Sequence, residues 1–257
     1  MKQKVLTRYA AIACAMAAFA LTSFQAEAKT LRALFLTGGC CHDYQKLAPH
    51  LTNSFGERVN INFDVDFTMD RLTNADFAKG YDVVVYDLCF EEAPPGVLDN
   101  ALKTIRNGKP TVMVHCAVHA FRKTSEIREW ENGVGMRSKV HDAFGPFATV
   151  KLDSESPILK GFPDDWHTDG DELYQTIEFL KNSHPLLKAK SPRDGREHIV
   201  CWTQTYGKGR VFATTLGHDM KTAEDPAYLD LLARGLLWSC DKLDKHGDAK
   251  RGYGKEK

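Results

Sequence analysis

Between residues 31 and 114 the chain alternates short apolar runs with stretches of helical spacing, and that alternation admits few folds. Residues 31–36 (LRALFL) form the first run and end in Thr37-Gly38-Gly39; residues 44–55 then place Leu47, Leu51 and Phe55 on one helical face. Residues 59–67 alternate with β-branched and aromatic side chains, 72–78 read as a short helix and 81–88 (YDVVVYDL) as a buried strand. Pro94 and Pro95 open a further helix through Ile105, and 111–114 form a fourth strand. Strands joined by helical crossovers pair in parallel, because each crossover returns the chain to the same end of the sheet. The expected class is therefore α/β, a parallel sheet with helices on both faces. After Gly145 the rhythm shortens to strands at 148–152, 172–177, 198–204 and 210–216, the last two joined by Tyr206-Gly207-Lys208-Gly209 as an added β-hairpin. A helix over 227–243, with Leu229, Leu232, Leu236 and Leu237 in one stripe, closes a single domain spanning 29–243. Residues 244–257 are charged, carry glycine and lack apolar periodicity, so they are expected to form a loose, flexible tail.

Residues 1–28 stand outside this pattern. Lys2, Lys4 and Arg8 form a basic start, 9–24 an apolar run and Ala26-Glu27-Ala28 a small-x-small cleavage site, which are the three parts of a secretory signal peptide. The apolar run is shorter than the roughly 20 residues of a spanning helix. Cleavage is expected rather than stable membrane insertion, with Lys29 first in a periplasmic or secreted protein. Lysine plus arginine and aspartate plus glutamate number 34 each, which removes the basic footprint of a protein that grips nucleic acid through its phosphates. Six of the seven cysteines follow Ala28. They show no C-x-x-C pair and no repeated spacing, and several sit in apolar runs where a packed thiol is the ordinary state, so one disulfide at most is expected.

Open parallel sheets bind ligands beyond the carboxyl ends of their strands, and the residues there are reactive. Cys40, Cys41, His42 and Asp43 follow the first strand, Cys89, Glu91 and Glu92 the third, and His115, Cys116 and His119 the fourth. Asp169, Asp171 and Glu172 precede or open a later strand, and His218 follows the last. The order of elements predicts one cavity lined by His42, His115, His119, Glu172 and His218. His115, His119 and His218 are candidate ligands for a divalent metal such as zinc, with His42 and Glu172 as further ones, because imidazole and carboxylate suit such an ion. Each histidine is equally able to hydrogen-bond a substrate. Glu172 is the candidate general base, or else pairs with an arginine such as Arg122; His42 is a candidate catalytic imidazole with Asp43 as its orienting carboxylate. Cys116 sits where a strand turns into a helix, as nucleophiles do, but the run His115-Cys116-Ala117-Val118-His119 lacks the elbow glycines. No dinucleotide fingerprint follows the first strand, so no nucleotide cofactor is expected.

Gly38-Gly39 with His42-Asp43, the run ending His115-Cys116-Ala117, His141 after a glycine-bearing loop, Asp171-Glu172-Leu173-Tyr174, and Tyr206-Gly207-Lys208-Gly209-Arg210-Val211-Phe212 with Thr214-Thr215-Leu216-Gly217-His218 occur in that order. Together they resemble the trehalose-utilisation (ThuA-like) family over roughly residues 31–243. The resemblance implies a class I glutamine amidotransferase-like, flavodoxin-like sheet, and a role in bacterial carbohydrate breakdown on a disaccharide, a glycoside or its 3-keto derivative. On that reading Trp130, Trp166, Tyr174 and His141 are candidate substrate contacts, the aromatic rings offering a stacking surface for a sugar. The expected function is an exported enzyme using metal- or histidine-assisted acid/base chemistry. A cysteine-dependent hydrolase built on Cys116 and a carbohydrate-binding accessory module without chemistry stand as the alternatives.

Overall fold

A computed structural model describes residues 29–255, and the expected signal peptide at 1–28 lies outside the described residues. The first half follows the sequence rhythm: β1 (Leu31–Gly39), α1 (Tyr44–Arg58), β2 (Ile61–Asp66), β3 (Val83–Cys89), α2 (Val97–Arg106) and β4 (Thr111–Val114). The second half contains α3 (Ile127–Val134), β5 (Met136–His141), β6 (Gly145–Lys151), β7 (His167–Asp171), β8 (Tyr174–Phe179), β9 (Ser183–Lys190), β10 (Glu197–Tyr206), β11 (Gly209–Thr214), α4 (Met220–Ala223) and α5 (Pro226–Ser239).

Nine strands form one sheet in the order β2-β1-β3-β4-β11-β10-β9-β6-β7, and β5 pairs with β8 in a second, two-stranded sheet. The five strands from β2 to β11 are parallel. They reproduce the 2-1-3-4-5 order of flavodoxin-like sheets, in which the strand order reverses between β1 and β3 and opens a crevice there. β10, β9, β6 and β7 extend the sheet antiparallel.

Burial explains why these strands lie at the centre. All seven residues of β3 are buried, as a parallel strand covered on both faces requires. Val83 and Val85 point into one core with Leu47 and Leu51 of α1 and Leu232 and Leu236 of α5. Val84, Tyr86 and Leu88 point into the other with Leu98 and Leu102 of α2 and Trp130 of α3. The start of α5 is fixed by Pro226 in its first turn and by Asp225, whose carboxylate accepts the Tyr228 N–H at 2.8 Å. At the end of β1, Gly39 has φ +101°, and a Cβ there would lie 2.5 Å from the Cys89 carbonyl oxygen. Only glycine lets the end of β1 press against the end of β3, and that approach brings Cys40 beside Cys89.

The β-hairpin of β10 and β11 forms as expected, with Tyr206 opposite Gly209. Three expectations are corrected. Helix 72–78 shrinks to a 3₁₀ turn at Asp70–Thr73. α5 stops at Ser239, four residues short of 243. The tail is not loose through residue 255: Asn60 N–H donates to the Tyr253 carbonyl at 2.8 Å, Lys29 N–H donates to that of Gly252 at 2.9 Å, and Tyr253 packs on the core. Charge content suggested a solvated segment, but backbone pairing and one aromatic ring suffice to dock it. Among the described residues no helix is long and apolar enough to cross a membrane.

Candidate active site

Four side chains from four separate loops meet beyond the carboxyl ends of the parallel strands. His42 follows β1, His115 follows β4, Glu172 lies between β7 and β8, and His218 follows β11. The His42 ring centroid is 4.8 Å from that of His115 and 4.7 Å from that of His218, and the latter two are 5.3 Å apart. Glu172 Oε2 lies 3.5 Å from His115 Nε2 and 3.3 Å from His218 Nδ1, while Oε1 lies 3.6 Å from His141 Nδ1.

The chain pays for this convergence in backbone strain. His115 has φ +46°, a left-handed conformation that costs a non-glycine residue about 1–2 kcal/mol. It is held there by Nδ1, which donates to the Thr215 carbonyl at 2.6 Å; a carbonyl only accepts, so the neutral ring presents the Nε2 lone pair to the cluster. Asp171, fully buried, anchors two other members. Its Oδ1 accepts the N–H groups of Glu172 at 2.8 Å and His218 at 3.2 Å, and Oδ2 accepts that of Gly217 at 2.7 Å.

Charge follows from burial and neighbours. Burial alone would push the Glu172 carboxyl up, but hydrogen bonds and charge from His115 and His218 together outweigh it and hold the group well below the usual carboxylate range. The His115 imidazole shows the reciprocal effect: burial lowers it, and Glu172, Asp171 and the Thr215 carbonyl more than reverse that. Burial lowers His42, with His115 and His218 adding to the effect against Cys89. Among the described residues no partner of good hydrogen-bonding geometry reaches either buried His42 ring nitrogen, and the Cys89 thiol is the ring's near polar neighbour.

Sulfur clusters on one flank of this site. Cys40 and Cys41 form a vicinal disulfide, within the expected ceiling of one bridge, and among the described residues Cys89, Cys116, Cys201 and Cys240 are free. The Cys116 thiol donates to Cys89 Sγ at 2.7 Å, and Arg122 Nη1 donates to the same sulfur at 3.3 Å. The Cys116 contact, against burial and with help from His42 and Arg122, brings Cys89 down to about 4, while Cys89 and burial push Cys116 far up. The acidic thiol of the pair is Cys89, which the sequence marks only as a strand-end residue. Arg122 pairs with Glu91 rather than Glu172.

Several candidates sit elsewhere than expected. Asp43 does not orient His42: its carboxylate is largely exposed and pairs with Lys46 at 3.2 Å, at the start of α1. His119 does not join the metal-type cluster. Residues 115–119 form a 3₁₀ turn, in which positions three apart eclipse and positions four apart diverge, so Glu172 stands where His119 was expected, with His115 and His218. His119 instead stacks on Tyr174 at 3.9 Å, and burial together with His115 and His141 lowers it to about 3. Trp130 and Trp166 are core residues and no substrate wall. Trp130 is fully buried and donates to the Ala117 carbonyl; Trp166 donates to Asp225 at the head of α5. Tyr174 is buried too, its hydroxyl 3.4 Å from His115 Nε2 and 3.3 Å from Cys116 Sγ, so it backs the site rather than facing substrate. His141 is part-exposed at the mouth, stacked on Tyr174 at 5.5 Å.

The family profile described as ThuA, trehalose utilisation, matches residues 32–239. No curated protein matches the chain. Among solved structures, a ThuA-like protein from Parabacteroides merdae ATCC 43184 superposes with a TM-score of 0.69 at 21% identity, covering 89% of this chain and 98% of that one. A ThuA-like protein from Bacteroides uniformis ATCC 8492 gives 0.68 at 18% identity, covering 85% and 94%. A β-galactosidase from Bacillus circulans sp. alkalophilus gives 0.59 at 12% identity, covering 89% of this chain but 32% of its own length. At these identities the likeness is one of fold, the glutamine amidotransferase-like α/β sheet.

Proposed function

The chain belongs to the ThuA family, trehalose utilisation, and from that premise we propose that it is an enzyme of carbohydrate breakdown whose catalytic centre is His42, His115, His218 and Glu172. The observation that carries this reading is the convergence of His115 and His218 on His42, with Glu172 set against the first two, where among the described residues neither buried His42 ring nitrogen has a partner of hydrogen-bonding geometry. Buried polar atoms without partners are costly, and proteins retain them where a ligand completes the set.

The donors of His115, Glu172 and His218 lie within 4.8 Å of one another, a nitrogen and oxygen set that fits a divalent transition metal such as zinc. The hydrogen bond from His115 Nδ1 to Thr215 is the outer contact that fixes a ligating imidazole. When bound, such an ion supplies a Lewis acid for a sugar carbonyl or hydroxyl oxygen. Glu172 stays ionised at neutral pH and is placed to take a proton from substrate, with His141 at the mouth to hydrogen-bond sugar hydroxyls. The substrate class proposed is a disaccharide, a glycoside or its 3-keto derivative.

Protein purified without an affinity tag is expected to carry about one equivalent of metal, and to lose turnover of a glycoside and 3-keto-glycoside panel on chelation and regain it on readdition. The Cys116→Ser variant should keep most of that activity, because Cys116 is buried, held protonated and directed at Cys89. Activity lost with Cys116 and indifferent to chelation transfers the chemistry to sulfur. Sugar binding without consumption of any panel member makes the protein an accessory module.

We further propose that it acts in the periplasm or after secretion, on the basis of Lys2, Lys4, Arg8, the apolar run and Ala26-Glu27-Ala28. Intact mass of protein recovered from its native envelope is expected to begin at Lys29; a mature chain retaining Met1 rejects export by this route.

A further inference from the structure

Beside the catalytic cluster lies a cavity of about 530 Å³ whose wall includes His119, Arg122, Lys123, Arg128, Glu131 and Lys139. It is positively charged on balance. Glu131, the acidic residue of the wall, is buried and already committed to Arg128 at 3.1 Å and Arg137 at 3.2 Å. Arg122 and Lys123 share the single carboxylate of Glu91. Lys139 is exposed on β5 and has no ion pair among the described residues.

His119 ties this cavity to the catalytic centre. It is 9% exposed, its Nε2 is buried without a hydrogen-bond partner among the described residues, and its ring stacks on Tyr174, whose hydroxyl is 3.4 Å from His115 Nε2. Tyr174 is packed between the cavity wall and the centre, and the two are linked along β5, which carries Lys139 at the cavity and, two residues on, His141, whose Nδ1 is 3.6 Å from Glu172 Oε1. A buried, unpaired imidazole nitrogen beside surplus cations calls for a ligand that offers both hydroxyls and negative charge.

We propose that this cavity is a subsite for an anionic sugar, one carrying a carboxylate or a phosphate, so that the enzyme prefers acidic over neutral saccharides. The inference rests on the carbohydrate reading of the catalytic centre and adds the charge of the unit bound next to it. Lys139 meets the anionic group, with Arg128 flanking it from its pair with Glu131, and His119 Nε2 meets a hydroxyl.

Calorimetric titration of the metal-loaded protein with methyl glucuronide, methyl glucoside 6-phosphate and methyl glucoside tests it. At least one anionic probe is expected to bind about tenfold or more tighter than the neutral one, the span of one charge-assisted hydrogen bond, and to weaken with added salt while the neutral probe does not. The two anionic arms tell carboxylate from phosphate. Lys139→Glu should remove that preference and Lys139→Arg retain it; both lie at an exposed position, so folding is preserved. Equal affinity for all three probes, or a preference that survives Lys139→Glu, overturns the subsite. Turnover is read separately. Neutral glycosides consumed without anionic preference leave the enzyme reading standing and remove this one, and Lys139-dependent anion binding without turnover does the reverse.

Discussion

Replacing Glu172 with Gln is expected to lower turnover about 10²- to 10⁴-fold, the range of a general acid/base contribution, with some loss of stability as well, because the lowered carboxyl means that its charge favours the folded state at neutral pH. The side chain keeps its shape but loses its charge, and that charge is what His115 and His218 see: Oε2 is 3.5 Å from one imidazole and 3.3 Å from the other. An amide at that position presents an N–H or a neutral oxygen to both rings. It can neither accept a proton from substrate nor balance a cation held between the imidazoles. The two roles separate by metal content. A variant that keeps its metal and loses turnover assigns Glu172 to proton transfer; one that loses both assigns it to the ligand set. A metal-replete Glu172→Gln protein with a third or more of parental activity removes Glu172 from the mechanism.

Element order and the residues at the strand ends make much of this site legible in the sequence. A parallel sheet gathers the residues just past its strands at one edge, and that rule places His42, His115 and His218 together; Glu172 follows the antiparallel edge strand β7 and is tied to the loop of His218 through Asp171. The features that the sequence conceals depend on local geometry. The spacing of His115 and His119 suggests a helical pair, but the turn is 3₁₀, so the second ring swings onto Tyr174. Asp43 is adjacent to His42 in sequence, yet it sits at the head of α1 and pairs with Lys46. Polar flanks around Trp130 mask α3, a helix of eight residues whose inner side carries Trp130 and Val134. β9 is hidden by Pro185 and by Lys188 and Lys190 in a strand only partly buried. Asp171 reads in sequence as a residue at the entry to a strand. Its hold on three backbone N–H groups of the site depends on β7 and the loop after β11 lying side by side, which no local pattern encodes.

Replacing Asp171 with Ala is therefore expected to damage fold and activity together. The carboxylate has no solvent exposure, and its removal leaves the buried N–H of Gly217 and the part-buried N–H groups of Glu172 and His218 without their acceptor, at up to about 1–3 kcal/mol for a buried donor. Because the three share one acceptor, the costs do not add fully, and a net loss of about 3–5 kcal/mol is expected, a fall of roughly 10 °C in melting temperature for a chain of this size. Relaxation cannot relieve the loop cheaply. Gly217 has φ +111°, and its backbone lies so close to the Tyr228 hydroxyl that a Cβ there would collide with it. The loop carrying His218 is thus wedged between Tyr228 and Asp171, and without the carboxylate both Glu172 and His218 lose their register, so activity should fall even below the new melting point. Asp171→Asn gives the sharper reading. Its amide oxygen can still accept from Glu172 and His218, but its NH₂ then faces the Gly217 N–H, donor against donor, so an intermediate loss of stability with a disproportionate loss of activity is expected. Thermal melts and turnover of the two variants, compared with Glu172→Gln, separate the anchor from the chemistry: an Asp171→Ala protein that melts and turns over like the parent means the loop holds His218 without it.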